Sequence, residues 1–167
     1  MLNPKARLKP NPETGKPTTH IRLRIDALID GISEKKGQLI IPTPSLTEAL
    51  TWSDNPQEYI NLLRTFACIE IVPFDEKASL ELALINNKAI SSGDKKSGVE
   101  ATWQEVKFDR QIVTIARVSG ATVLYTDDDN QSAFAKLAGL EVRHTWDLPL
   151  PAKYAQMPLF EDDEKNG

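Results

Sequence analysis

The sequence is poor in the side chains that form disulfides and zinc sites. Its 167 residues include one cysteine, Cys68, and two histidines, His20 and His144. A single thiol cannot form an internal disulfide, and one thiol with two imidazoles does not make the four-ligand set of a structural zinc site. Any metal site in this chain must therefore use oxygen ligands.

Long apolar runs are also missing. No stretch approaches the ~18 consecutive apolar residues that predict a membrane-spanning helix, and the first residues lack the apolar segment of a signal peptide. We therefore expect a cytoplasmic protein that does not contact a membrane.

Excess positive charge is absent as well, since the formal net charge is -4. The charge is nevertheless uneven. Residues 1–36 contain eight basic and four acidic side chains, a local balance of +4, whereas 161–165 is acidic. This asymmetry is compatible with a basic edge that faces RNA on an acidic protein, and equally with an ordinary solvated surface.

Length and composition predict one globular domain with irregular ends. A chain of this size with 40% apolar residues can bury a single core. Residues 1–19 contain four prolines and no apolar period, which predicts an irregular arm. We place the folded domain at 20–148 and a flexible acidic tail at 149–167.

Helical and strand patterns alternate through that domain. Strands are predicted at 38–41, 68–72, 121–125 and 140–143. Helices are predicted at 21–32, from Thr43 as the cap onward, at 55–66, 75–86, 104–118 and 132–138, and a polar loop at 90–101. The alternation predicts an α/β fold with a parallel sheet covered by helices on both faces.

The segment 104–130 is the most informative part of the chain. Its helical apolar spacing stops at Ser119-Gly120, where glycine favours a helix end. The apolar stretch 121–125 then predicts a buried parallel strand. Three aspartates follow it, at the carboxyl edge where open α/β sheets place their sites.

Three carboxylates are predicted to share that edge: Glu48, Asp109 and Asp128. Each lies early in a helix or directly after a strand, and these positions meet at one rim of a parallel sheet. Carboxylates without histidine or thiol partners favour Mg²⁺ or Mn²⁺. Each acid also has a structural alternative: Glu48 as a surface residue, Asp109 as a complement to its helix dipole, and 127–129 as an acidic turn.

The chain resembles the PIN domains, metal-dependent ribonucleases that include toxins of bacterial toxin–antitoxin pairs. The resemblance spans about residues 25–142 and is carried by the segments PTPSLTEAL, VPFDEKASLELA, KFDRQIVTIARVSGATVLYTDDD and AGLEV. It implies a three-layer α/β/α fold with a parallel central sheet. It also implies an acidic metal site of Glu48, Asp109 and Asp128, supported by Thr126; Asp127 and Asp129 are the register alternatives to Asp128.

One departure from the family pattern concerns the first strand, which in the family ends near a metal-binding aspartate. Here Met1-Leu2-Asn3-Pro4 resembles the sequence that follows that strand. We therefore expect the strands at 38–41 and 121–125 to have unpaired edges, and the nuclease activity to be weak because one ligand is missing.

The leading hypothesis is a Mg²⁺- or Mn²⁺-dependent endoribonuclease, the toxin of a toxin–antitoxin pair, with an antitoxin and a second copy as protein partners. The predicted phosphate contacts are Lys95, Lys96, Lys107 and Arg110. The alternative is a catalytically impaired PIN-like module that binds RNA or a protein. A phosphatase acting on small phosphoesters is disfavoured because no Asp-x-Asp follows a first strand.

Overall fold

The computed structural model describes residues 9–151 and Tyr154, and its helices and strands alternate as the sequence predicts. In chain order the elements are α1 (Ile21–Glu34), β1 (Leu39–Pro42), α2 (Thr43–Thr51), α3 (Pro56–Arg64), β2 (Ile69–Val72), α4 (Glu76–Ser91), α5 (Trp103–Val118), β3 (Val123–Tyr125), α6 (Asp129–Leu137) and β4 (Glu141–Arg143). A 3-10 turn follows at Thr145–Asp147. The α/β class with parallel strands is confirmed. The arm is described only from residue 9, and most of the predicted tail lies outside the described residues.

The four strands form two parallel pairs. Strand β1 pairs with β2, with Leu39 opposite Ile69, and β3 pairs with β4, with Val123 opposite Glu141. Among the described residues, no backbone pairing joins β1 to β3. Each of these two strands therefore has one pairing partner among the described residues, and the sheet is divided there.

Local side-chain caps explain several helix boundaries. The Asn55 side chain accepts from the Glu58 amide at the start of α3, and Asp75 does the same for Ala78 at the start of α4. Thr102 and Glu105 form a reciprocal capping box at the start of α5. These bonds satisfy amide groups that have no partner within their own helices.

The start of α2 and the length of α4 differ from expectation. Thr43 is the first residue of α2 rather than its cap, because Pro42 occupies the extended cap position. The Thr43 hydroxyl instead accepts from the Phe74 amide at 3.3 Å, which ties α2 to the segment after β2. Helix α4 continues to Ser91, so the predicted polar loop shortens to 92–102.

Helix α5 lies at the centre of the packing. Its apolar residues form one core with Leu124 of β3, Phe134 and Ala135 of α6, and Leu140. A second, smaller core joins Ile41, Leu46 and Leu63. Helix α5 also packs against α2, α4 and β1, so it links the two strand pairs. Within the described residues, no helix has the length and apolar character that a membrane crossing requires.

Arg110 of α5 anchors the loop 92–102 from inside the protein. Its side chain is 3% exposed, and its guanidinium donates to Asn86 Oδ1 at 2.7 Å and to Ser97 Oγ at 2.9 Å. The same group lies 5.7 Å from the ring centre of Trp103 and 5.1 Å from that of Phe134. A buried cation thus uses its donors and two ring faces to hold α4, the loop and α6 together.

Replacing Arg110 with methionine tests this anchor. The substitution keeps an apolar stem and leaves Asn86 and Ser97 without their donor, so we expect a loss of about 2–4 kcal/mol in the free energy of unfolding. Amide hydrogen exchange in 92–102 should accelerate before global unfolding does. Urea denaturation and exchange measurements check both effects, with Lys95→Met as the matched control on the exposed part of the loop.

Unchanged protection of 92–102 in Arg110→Met would show that the loop is held by its own turns. A comparable loss of stability in Lys95→Met would show that the effect is not specific to the buried guanidinium.

Candidate metal centre

The three predicted carboxylates come from three segments. Glu48 lies in α2, which directly follows β1; Asp109 lies in the second turn of α5; and Asp128 is the cap of α6, just after β3. Burial raises the pKa of Asp109 and of Glu48. The charges of Asp128 and Glu48 raise the pKa of Asp109 further, and the charge of Asp128 does the same for Glu48. The fold therefore brings the three acids into one electrostatic neighbourhood, at the ends of β1 and β3.

The separation of Glu48 from Asp128 depends on helix α5. The two strand pairs are not joined by backbone pairing in the described residues, so side-chain packing sets their relative position. Helix α5 packs on β1 as well as on the core formed with β3 and α6. The helix that contributes Asp109 therefore also holds the other two acids in place.

Asp109 is the most perturbed acid of the group. Its side chain is 8% exposed, and burial is the largest cause that raises its pKa, from an ordinary 3.8 to about 6. A hydrogen bond from Gln131 acts in the opposite direction, and the nearby acids Asp128, Glu48 and Glu105 raise the pKa further. Desolvation and like charge both disfavour a carboxylate, so the site is poised to gain from a cation.

Gln131 connects the parts of this site. Its side-chain amide donates to Asp109 Oδ1 at 3.1 Å and accepts from the Thr126 hydroxyl at 3.1 Å. Its backbone amide donates to Asp128 Oδ1 at 2.9 Å. The Asp128 amide in turn donates to the Thr126 hydroxyl at 3.1 Å. Thr126 therefore supports the site through Gln131 as well as through the Asp128 backbone.

Gln131 was missed in the sequence analysis, although a signal was present. It stands three residues after Asp128, and an acid or hydroxyl cap followed three residues later by Glu or Gln is the spacing of a helix start. That pattern predicts the backbone bond to Asp128. Only the packing of α6 against α5 brings the Gln131 side chain to Asp109.

The three consecutive aspartates have different environments. Asp127 accepts from the Thr145 amide at 2.8 Å and from the Thr145 hydroxyl, which fixes the turn after β4. Asp129 is 85% exposed and pairs with Lys9 Nζ at 2.6 Å. Asp128 is the acid linked to Gln131. These placements favour Asp128 over its two register alternatives.

The predicted phosphate-binding side chains divide into two groups. Lys95 is exposed, with Nζ 5.8 Å from the ring centre of Trp103, and Lys96 and Lys107 are partly exposed. Arg110 is different, because its guanidinium is buried and bonded to Asn86 and Ser97. In this conformation a phosphate cannot reach Arg110, so we leave it out of the proposed RNA surface.

The donor chemistry fits a hard cation, whereas the spacing of the three acids is wider than a shared ligand shell. In the part of the chain that the structure describes, no three Asp, Glu, His or Cys side chains converge closely enough to hold one ion. Small hard cations retain several waters and use one or two protein carboxylates.

Comparisons with known proteins find similarity to solved structures, and no match to a family model or a curated sequence. One similar solved structure is the crystal structure of VapBC2 from Rickettsia felis bound to a DNA fragment from their promoter. The match has 15% sequence identity and a TM-score of 0.47, and covers 74% of this chain and 94% of that chain.

Proposed function

We propose that this chain is a Mg²⁺- or Mn²⁺-dependent endoribonuclease of PIN type, acting as the toxin of a toxin–antitoxin pair. The observation that carries the proposal is the Asp109 carboxylate, buried beside Asp128 and Glu48 with its pKa raised to about 6. Asp109 is the buried member of the group, whereas Glu48 and Asp128 are exposed. A buried carboxylate with like charges nearby is costly unless a cation offsets its charge. The PIN-like motifs supply the reaction type.

In this mechanism the chain's own residues would hold the ion and orient its carboxylate ligands. Asp109 and Asp128 would hold the ion through carboxylate oxygens, and Gln131 and Thr126 fix those carboxylates through the bonds described above. When bound, the ion would supply water activation and stabilisation of the charge that develops on the phosphodiester. Lys95, Lys96 and Lys107 provide the cations that attract the RNA backbone.

A second candidate is a PIN-like module that binds RNA or a protein without cleaving. It is favoured by the wide spacing of the three acids in the described residues. The open edges of β1 and β3 favour association with another chain, since unpaired strand edges are sites of pairing. We propose an antitoxin and a second copy as the protein partners.

Asp109→Asn separates the two candidates. For a nuclease, the change removes a ligand charge, and we expect Mg²⁺-dependent cleavage of single-stranded RNA to fall by more than about a hundredfold, because even residues behind the ligands contribute ~10–100-fold. Asp128→Asn should behave alike, and Asp129→Asn, at an exposed position, should retain activity. Gel assays of fluorescent RNA with and without EDTA measure this.

The binding module would be supported if the wild-type protein binds RNA in EDTA and does not cleave it with Mg²⁺ or Mn²⁺. Cleavage that survives in EDTA, or that is equal in Asp109→Asn, would contradict a metal-dependent nuclease centred on Asp109.

The raised pKa of Asp109 predicts a pH dependence of stability. The folded state binds this proton more tightly than the unfolded state, so stability falls as pH rises from about 4 to about 6, and the full penalty persists above that range. The Asp109→Asn substitution removes the penalty, and its side chain can still accept from Gln131. We expect this substitution to stabilise the metal-free fold by about 2–3 kcal/mol at pH 7.5 and by little near pH 3.5.

Urea denaturation in EDTA at the two pH values measures the difference. Asp54→Asn, at an exposed position, is the control for the removal of a carboxylate. A constant difference for Asp109→Asn across pH would show that this carboxylate titrates normally.

Divalent ions should reverse that penalty. An ion that binds only the folded state raises its stability in proportion to the logarithm of ion concentration. We therefore expect Mg²⁺ and Mn²⁺ to raise the thermal midpoint of the wild type and to have little effect on Asp109→Asn. Identical midpoints of the wild type in EDTA and in millimolar Mn²⁺ would count against the site.

A further inference from the structure

Helix α4 presents apolar side chains to solvent. Leu80 and Leu84 are 65% and 60% exposed, and the exposed Ala83 lies between them. Positions three and four residues apart share one side of a helix, so these three side chains form one patch. The opposite side of α4 packs into the protein through Ala78 and Leu82. The outward patch is therefore uncovered in the part of the chain that the structure describes.

Two charged side chains border this patch. Glu76 lies in the first turn of α4 and Lys88 in the last, and both are exposed. Among the described residues, neither side chain has a hydrogen bond or an ion pair. The other two charged side chains of the helix, Lys77 and Glu81, are bonded to α5. Glu76 and Lys88 are therefore the charges of α4 that are left to meet another molecule.

We propose that this face of α4 is a contact surface between two copies of the chain, with the two helices antiparallel across a two-fold axis. In such a contact the same patch lies on both sides, and each pairing of residues occurs twice. Leu80 packs on Leu84 of the second copy, and Glu76 meets Lys88 of the second copy. Both pairings are symmetric about position 82, so one register satisfies them together. Ala83 lies near the axis, where a small side chain lets the helices approach.

The order of charge along α4 favours a second copy in this orientation. A parallel alignment would place Glu76 against Glu76 and Lys88 against Lys88, and facing like charges are unfavourable. The antiparallel alignment converts both into opposite-charge pairs at the ends of an apolar centre, which is the usual distribution in a protein interface. The inference gives a surface to the second copy named above as a partner, and it does not depend on nuclease activity.

Exchange of the two charges tests the register. In Glu76→Lys or Lys88→Glu alone, two ion pairs become two like-charge contacts. We expect the dissociation constant of the dimer to rise by about tenfold, because each exposed pair contributes little. The double variant restores opposite charges, and so does an equal mixture of the two single variants. Both should dimerise as the wild type does. Sedimentation equilibrium of the full-length protein measures these constants, and thermal melts confirm folding.

Leu80→Lys tests the apolar centre. The two-fold axis places this change in the contact twice, so we expect the dissociation constant to rise by more than about a hundredfold. Leu137→Lys is the matched control, because Leu137 of α6 is 72% exposed and lies outside the proposed surface. It should dimerise as the wild type does.

A wild type that stays monomeric across the micromolar range overturns the inference, and so does a dimer that Leu80→Lys leaves intact. A double variant that loses as much as the two single variants combined would show that Glu76 and Lys88 act on α4 through its dipole, and would overturn the register. RNA cleavage is measured separately, so a failure of this surface leaves the proposed function standing.

Discussion

Helix α5 buries two opposite charges at neighbouring positions, and the packing around the helix depends on the partners that these charges require. Asp109 and Arg110 are both almost inaccessible, and they do not pair with each other, because adjacent helix residues face different directions. Each charge therefore requires partners from another segment. Arg110 takes Asn86 and Ser97 on one side of the helix, and Asp109 takes Gln131 on another.

The two sets of partners have different roles. Those of Arg110 stabilise the fold, and those of Asp109 belong to the candidate site. The Arg110 side is supplied with partners, since the guanidinium donates to Asn86 and Ser97 and lies near two aromatic rings. The Asp109 side is incomplete, since one hydrogen bond does not offset burial and three neighbouring acids. An uncompensated buried carboxylate is unfavourable for folding alone. The buried Asp109 carboxylate, with the charges of Asp128 and Glu48 nearby, is the physical basis of the proposed cation site.

Sequence alone predicted the elements with strong local signals. The apolar period of α5, the stop at Ser119-Gly120 and the alternation of helices and strands predicted the α/β class. The strand-end rule predicted that Glu48, Asp109 and Asp128 would be neighbours, and the PIN-like motifs pointed to the same residues. The predicted helix boundary was wrong where a residue had two suitable roles. Thr43 was expected to cap α2, but its hydroxyl accepts a hydrogen bond from the Phe74 amide instead.

What the tertiary structure decided is which polar side chains face each other. Arg110 and Lys107 look alike as cations on one helix, and only the packing of α4 and α6 buries the first and leaves the second partly exposed. Asp127, Asp128 and Asp129 are equivalent in sequence, yet Thr145, Gln131 and Lys9 give them different partners. Local periodicity determines an element and the face it buries, because it acts within a few residues. The partners of a buried charge come from distant segments, so they are determined only when the chain is folded.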